Sequence, residues 1–200
     1  MKKMILQLSL VAATGLIMMS CGNNSETEKT TTDSLSKMND TGMANKPAML
    51  DTSKMSANMK TNDFLTKAVE GSMMEVAMGK LAQSNGGSSD VKDYGKMLEK
   101  DHGDAVDKLR GIASSENLSF PTTMTDEQNQ HITHMQSMTG ADFDKAFIPM
   151  MIDDHTKDIA EFKKAATSNE NEKVKNFASA ILPTLETHLS KAKAIKGKMK

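Results

Sequence analysis

The sequence predicts an all-α fold, a four-helix bundle preceded by a polar N-terminal segment. Three observations carry this. Apolar residues recur at three- and four-residue steps in four separate stretches, which puts each set on one helix face. The composition suits helices, with 19 Met among 200 residues and only 4% aromatic; a core must then come from Leu, Ile, Val, Ala and Met. No strand–turn–strand signal competes with these patterns.

The chain opens with Lys2-Lys3, a mostly apolar run from Met4 to Met19, and Ser20-Cys21-Gly22. A charged start followed by an apolar run too short to span a bilayer reads as a secretory signal over residues 1–20. The small residue before Cys21 resembles a bacterial lipoprotein box, with Met18 at a position where Leu is usual. On that resemblance Cys21 is the lipidated first residue of the mature chain, anchored on a membrane at about 0.8 kcal/mol per buried acyl CH₂. The competing reading is an ordinary cleaved signal with an incidental cysteine. Cys21 is the single cysteine, so no internal disulfide forms.

Removal of residues 1–20 leaves 23 basic against 26 acidic residues, a net charge of −3. That balance offers no basic face for nucleic acid. Lys191, Lys193, Lys196, Lys198 and Lys200 instead suit a helix C-terminus. Residues 21–60, rich in Asn, Ser, Thr, Asp, Lys and Met, show no sustained apolar period and are expected to form a disordered tether.

The domain is expected over residues 61–200. Phe64, Ala68, Gly71, Glu75, Met78 and Ala82 define the first helix face, and Asn85-Gly86-Gly87 stops it. Ser88 or Ser89 caps a second helix with Val91, Tyr94, Leu98, His102, Ala105, Leu109 and Ile112 on its stripe. A short helix is expected over about 125–138 in the crossover, ended by Gly140. Thr139 with Asp142 is a loose capping box for a third long helix, whose face runs through Ile148, Met151 or Ile152, His155, Ile159, Phe162 and Ala166. Pro149 should kink it. Asn169 with Glu172 is expected to cap the last helix, with Val174, Ala178, Ile181, Leu185, His188, Ala192 and Ile195 on one face. Pro183 falls just before His188.

Each stripe carries one polar, metal-competent residue in its middle: Glu75, His102, His155 and His188. "YGKMLEKDH" at 94–102 and "FIPMMIDDH" at 147–155 end on the same Asp-His, fifty-three residues apart. Buried polar groups need partners, and the partners at hand are one another, through a metal ion or through hydrogen bonds. Glu75 lies 11 residues before Gly86 and His102 16 after it, while His155 lies 14 before Asn169 and His188 19 after. Each pair is thus offset by about 7 Å along its hairpin at 1.5 Å per residue. Asp101 and Asp154 sit at the stripe edges, either as acceptors orienting imidazoles or as solvated surface acids.

Phe64 with Glu75, "MLEKDH", "DFDKAFIPMMIDDH" and "LPTLETHL" together resemble the ferritin-like bacterial family called domain of unknown function 4142, over about residues 60–196. The resemblance implies a secreted or membrane-anchored helical domain, often described as an outer-membrane protein, with no established activity. Ferritin-like di-iron sites use two lone Glu residues and two Glu-x-x-His pairs. Glu99 with His102 fits one pair and Glu75 one lone Glu. His155 and His188, however, have Ile152 and Leu185 three residues before them, and Glu186 points about 200° away from His188. The residues therefore suit one zinc, copper or iron ion on Glu75, His102, His155 and His188, with Glu99 as a further candidate, better than a carboxylate-bridged pair.

Two other readings stand beside this one. An envelope metalloenzyme or copper-handling protein would use the core, or the Met38, Met43, Met49, Met55 and Met59 series with His131, His134, Met135 and Met138. A purely structural or interaction module would need only a mutually bonded polar layer.

Overall fold

The computed structural model describes residues 52–199. Its elements are five α-helices: α1 Thr52–Asn85, α2 Ser89–Glu116, α3 Asp126–Gln136, α4 Gly140–Ser168 and α5 Glu172–Lys198. The expected signal, Cys21 and residues 21–51 of the expected tether lie outside the described residues. No strand occurs among the described residues; one isolated parallel bridge joins Gly86 to Gly140. No described helix is long and apolar enough to cross a membrane.

Helix α1 packs along α2, and α4 along α5; α2 also meets α5, while α1 meets α3 and α4. Helix α1 starts at Thr52, so residues 52–60 are helical rather than part of a disordered tether. Their Ser, Met, Ala and Lys are helix-compatible without forming an apolar face, so no stripe betrayed them. Met55 and Met59 there are exposed.

The caps follow the sequence in part. Ser88 Oγ accepts from the Val91 N–H, and Thr125 with Gln128 forms a full capping box on α3. Thr139 occupies the cap position of α4 without a side-chain bond, so the expected capping box with Asp142 does not form. Gly140, at φ +63°, opens α4 instead of closing α3. Asn171, not Asn169, caps α5 by accepting from the Val174 N–H. Asn169 terminates α4, and its Oδ1 accepts from the Thr61 hydroxyl at 3.0 Å and from the Asn171 N–H at 2.9 Å. Both α4 and α5 continue through their prolines.

Two glycines bring α1 and α2 close together. A Cβ on Gly95 would lie 2.6 Å from the Gly79 carbonyl oxygen, and a Cβ on Gly79 would lie 2.6 Å from the Gly95 carbonyl oxygen. Below the α1–α2 turn, the buried Asp144 carboxylate of α4 accepts from the Gly87 N–H at 2.8 Å and the Ser88 N–H at 3.0 Å. It thus caps the start of α2 from a different helix.

The core has two apolar layers. One contains Met78, Leu98, Phe147, Met151 and Ala192, and the other Val69, Ala105, Ile159, Phe162 and Leu185. Glu75 falls between Val69 and Met78, His102 between Leu98 and Ala105, His155 between Met151 and Ile159, and His188 between Leu185 and Ala192. The four polar residues therefore occupy one level, enclosed by apolar packing on both sides.

Candidate metal centre

Three rings meet at that level. The His102 centroid lies 5.6 Å from that of His155 and 5.2 Å from that of His188, and the His155 and His188 centroids are 5.2 Å apart. One ring nitrogen from each histidine lies within 4.8 Å of the other two. The offset read from sequence shrinks when measured from the middle of each turn. From Gly87, Glu75 and His102 are 12 and 15 residues away; from Glu170, His155 and His188 are 15 and 18 away. Three residues correspond to about 4.5 Å, which side chains span.

The outward-facing nitrogens have fixed acceptors. His102 Nδ1 is 2.9 Å from Glu75 Oε2. His155 Nδ1 is 2.9 Å from the Met151 carbonyl oxygen and 3.3 Å from Glu75 Oε1. His188 Nε2 is 3.0 Å from Asp101 Oδ2. The Met151 carbonyl and the Asp101 carboxylate only accept, so His155 Nδ1 and His188 Nε2 carry their rings' hydrogens, and His102 Nδ1 does so when Glu75 is ionised. The lone pairs are then left on His102 Nε2, His155 Nε2 and His188 Nδ1. His102 Nε2 is buried without a hydrogen-bond partner. His155 Nε2 and His188 Nδ1 stand 3.1 Å apart, facing each other.

The electrostatics keep these rings neutral. Burial lowers the pKa of His102 to about 4, against a smaller upward pull from Asp101. Burial also brings His188 to about 4, against its Asp101 hydrogen bond, and it lowers His155 against the attraction of Glu75. Burial raises Glu75 to about 7, with His155 opposing and Asp154 adding to the rise. Asp101 is raised by burial, but the His188 hydrogen bond and Lys100 outweigh this and leave it below its ordinary value. On the far flank burial takes Asp158 up to about 8, helped by Glu75 and Asp154.

Glu75 therefore plays a different part from the one expected. It stands behind the rings of His102 and His155, outside the group of convergent nitrogens. Its Oε2 meets His102, while Oε1, 3.3 Å from His155 Nδ1, is buried without a hydrogen-bond partner and acts on that ring through charge alone. Asp101 does meet a ring nitrogen, but that of His188 on α5 and not that of its neighbour His102. Asp154 bonds no ring nitrogen, and its Oδ2 is buried without a partner. Glu99 is drawn outward: Gln83 Nε2 donates to Glu99 Oε2 at 2.6 Å, and Lys80 lies 3.8 Å away. Glu186 pairs on the surface with Lys163, as its 200° displacement requires. The Met151 carbonyl was not foreseen, since nothing in sequence marks which backbone oxygen a ring will find. Tyr94 is buried on the stripe of α2. Its ring lies edge-on to His188, and its buried hydroxyl has no hydrogen-bond partner.

Fold and site define an all-helical domain with a polar histidine layer sealed into its core. The chain belongs to the family described as Domain of unknown function (DUF4142), whose model matches residues 44–195. No curated protein and no solved structure matches it.

Proposed function

We propose that this chain is a lipid-anchored cell-envelope protein whose ferritin-like four-helix domain holds one transition-metal ion between His102, His155 and His188. The observation that carries this is the 3.1 Å approach of His155 Nε2 to His188 Nδ1, with the hydrogen of each ring already committed elsewhere. Two lone pairs at that distance repel, and the lowered pKa values oppose a shared proton. A cation between them removes the conflict and also supplies a partner for His102 Nε2. Zinc–nitrogen bonds of about 2.0–2.1 Å in a tetrahedron set nitrogens about 3.4 Å apart, close to the spacing found. An all-imidazole donor set suits zinc, copper or iron by ligand type. With Glu99 and Glu186 both turned outward, the carboxylates that a bridged di-iron centre needs are absent from the convergent group. The anchor rests on the signal-like start and Cys21, and the outer membrane is the envelope surface assigned to it.

Calorimetric titration of the apo-protein with Zn²⁺ tests the site. One ion should bind per chain, with His102→Ala, His155→Ala and His188→Ala each weakening binding and His131→Ala leaving it unchanged. A wild-type protein that takes up no stoichiometric metal refutes the proposal and leaves the polar layer a structural device. The anchor is tested separately, because Cys21→Ala should release the protein from the membrane fraction.

A further inference from the structure

We infer that the ion reaches the histidine layer through the seam between α2 and α5, with Asp101 as its gate. The inference rests on the metal-binding reading above and assigns that site its route of exchange.

Accessibility singles out this position. The side chains of Glu75, His102, His155 and His188 are 3%, 5%, 0% and 1% exposed, whereas Asp101 is 28% exposed. The apolar layers close the site along the helix axes, so among the side chains bonded to the rings only this carboxylate reaches solvent. Its two oxygens face opposite ways. Oδ2 holds His188 Nε2 at 3.0 Å, and Oδ1 lies 3.5 Å from the largely exposed Lys100 ammonium. One turn earlier on α2, the Met97 sulfur accepts from Lys191 Nζ of α5 at 3.0 Å. The mouth of the seam thus presents a carboxylate and a thioether, each held by a lysine that an incoming cation can displace.

An arriving divalent ion meets Asp101 first and exchanges with Lys100. Because the same carboxylate orients His188, engaging the ion loosens that ring and lets its inward nitrogen take over. Asp101 is accordingly a positioning residue whose charge sets the rate of loading, while the three histidines set the affinity.

Cobalt is a suitable probe, because Co²⁺ reports its ligand set in the visible spectrum and its uptake can be timed by stopped flow. Wild type, Asp101→Asn and Asp104→Asn should be compared in the apo full-length protein. Asparagine keeps an acceptor for His188 Nε2 and removes only the charge. Asp101→Asn should therefore give the wild-type spectrum, load about tenfold more slowly at low ionic strength, and lose most of its salt dependence. Asp104→Asn removes an equal charge that pairs with Lys100 but touches no ring, and it should load within about twofold of wild type. Wild-type loading by Asp101→Asn, or equal slowing in both variants, overturns the gate. A changed spectrum at an unchanged rate reduces Asp101 to a purely structural support and also overturns it. Failure of wild type to develop any cobalt spectrum refutes the metal site itself.

Discussion

Replacing Gly95 by alanine sets two effects against each other. Alanine is a better helix former than glycine by about 0.8–1 kcal/mol, so at an exposed helical position the change stabilises. Here the new Cβ would stand 2.6 Å from the Gly79 carbonyl oxygen, 2.7 Å from Ala82 Cβ and 3.3 Å from the Gln83 nitrogen. Two of these atoms belong to the backbone of α1, so no rotamer change relieves the overlap. Helices α1 and α2 must separate by roughly 0.7 Å to restore ordinary contact, and overpacking of this kind costs about 1–3 kcal/mol. The shift would loosen the packing of Met78 and Leu98 as well. With the clash at the middle of that range it outweighs the propensity gain, leaving a net loss of about 1 kcal/mol, or a fall of about 2–4 °C in Tm for a domain of this size. Thermal unfolding followed by circular dichroism in the presence of a chelator measures it. Gly103→Ala and Gly111→Ala on the same helix are the controls. Nothing lies within 4 Å of a Cβ at either position, so both should melt above wild type. A Gly95→Ala protein that melts at or above wild type refutes the reasoning about the crossing.

Asp144→Ala removes the charged acceptor of two backbone N–H groups at the start of α2. Denaturant titration should show a loss of about 2–3 kcal/mol, and a loss below about 0.5 kcal/mol would mean that water replaces the carboxylate. Metal affinity should depend on pH in two stages. Neutral imidazole is the ligating form, and with His102 and His188 near 4 these rings do not compete with protons until the pH is well below 6.5. A cation beside Glu75, itself near 7, favours the ionised carboxylate, so loading the site drives off the Glu75 proton. Zinc affinity should thus fall about tenfold per pH unit below 7 with one proton displaced, steepening only near pH 4. Glu75→Gln should abolish the first stage, as competition titrations between pH 5 and 7.5 will show. Loss of three protons beginning at pH 6.5 would indicate solvated histidines instead.

The helix stripes were legible because burial on one face imposes a period that composition alone cannot imitate. His102, His155 and His188 could each be placed on an inward face in mid-helix from that period. The residue counts left each hairpin pair offset by about 7 Å, however, and only the turns of the folded chain bring the three rings to one level. Roles within the level were less legible. Glu99 shares a Glu-x-x-His spacing with His102, yet a 60° difference around the helix suffices to bring it to Gln83 and Lys80. Glu75 was expected among the ligands because a stripe position says that a side chain points inward, not on which side of a ring it stops. Asp144 went unnoticed as a cap because its targets, Gly87 and Ser88, are 57 and 56 residues away. The two asparagines at 169 and 171 are equally good caps locally, and the long-range bond from Thr61 to Asn169 accompanies the choice of Asn171.

The three convergent nitrogens come from both halves of the domain, one from the α1–α2 hairpin and two from the α4–α5 hairpin. His102 and His155 are 53 residues apart in a chain with one cysteine. An ion joining them would act as a reversible cross-link. Closing a loop of that length covalently contributes about 4 kcal/mol through the entropy of the unfolded chain. A domain built this way needs no disulfide to brace its two hairpins, and the strength of the brace would follow the supply of metal around it rather than the redox state.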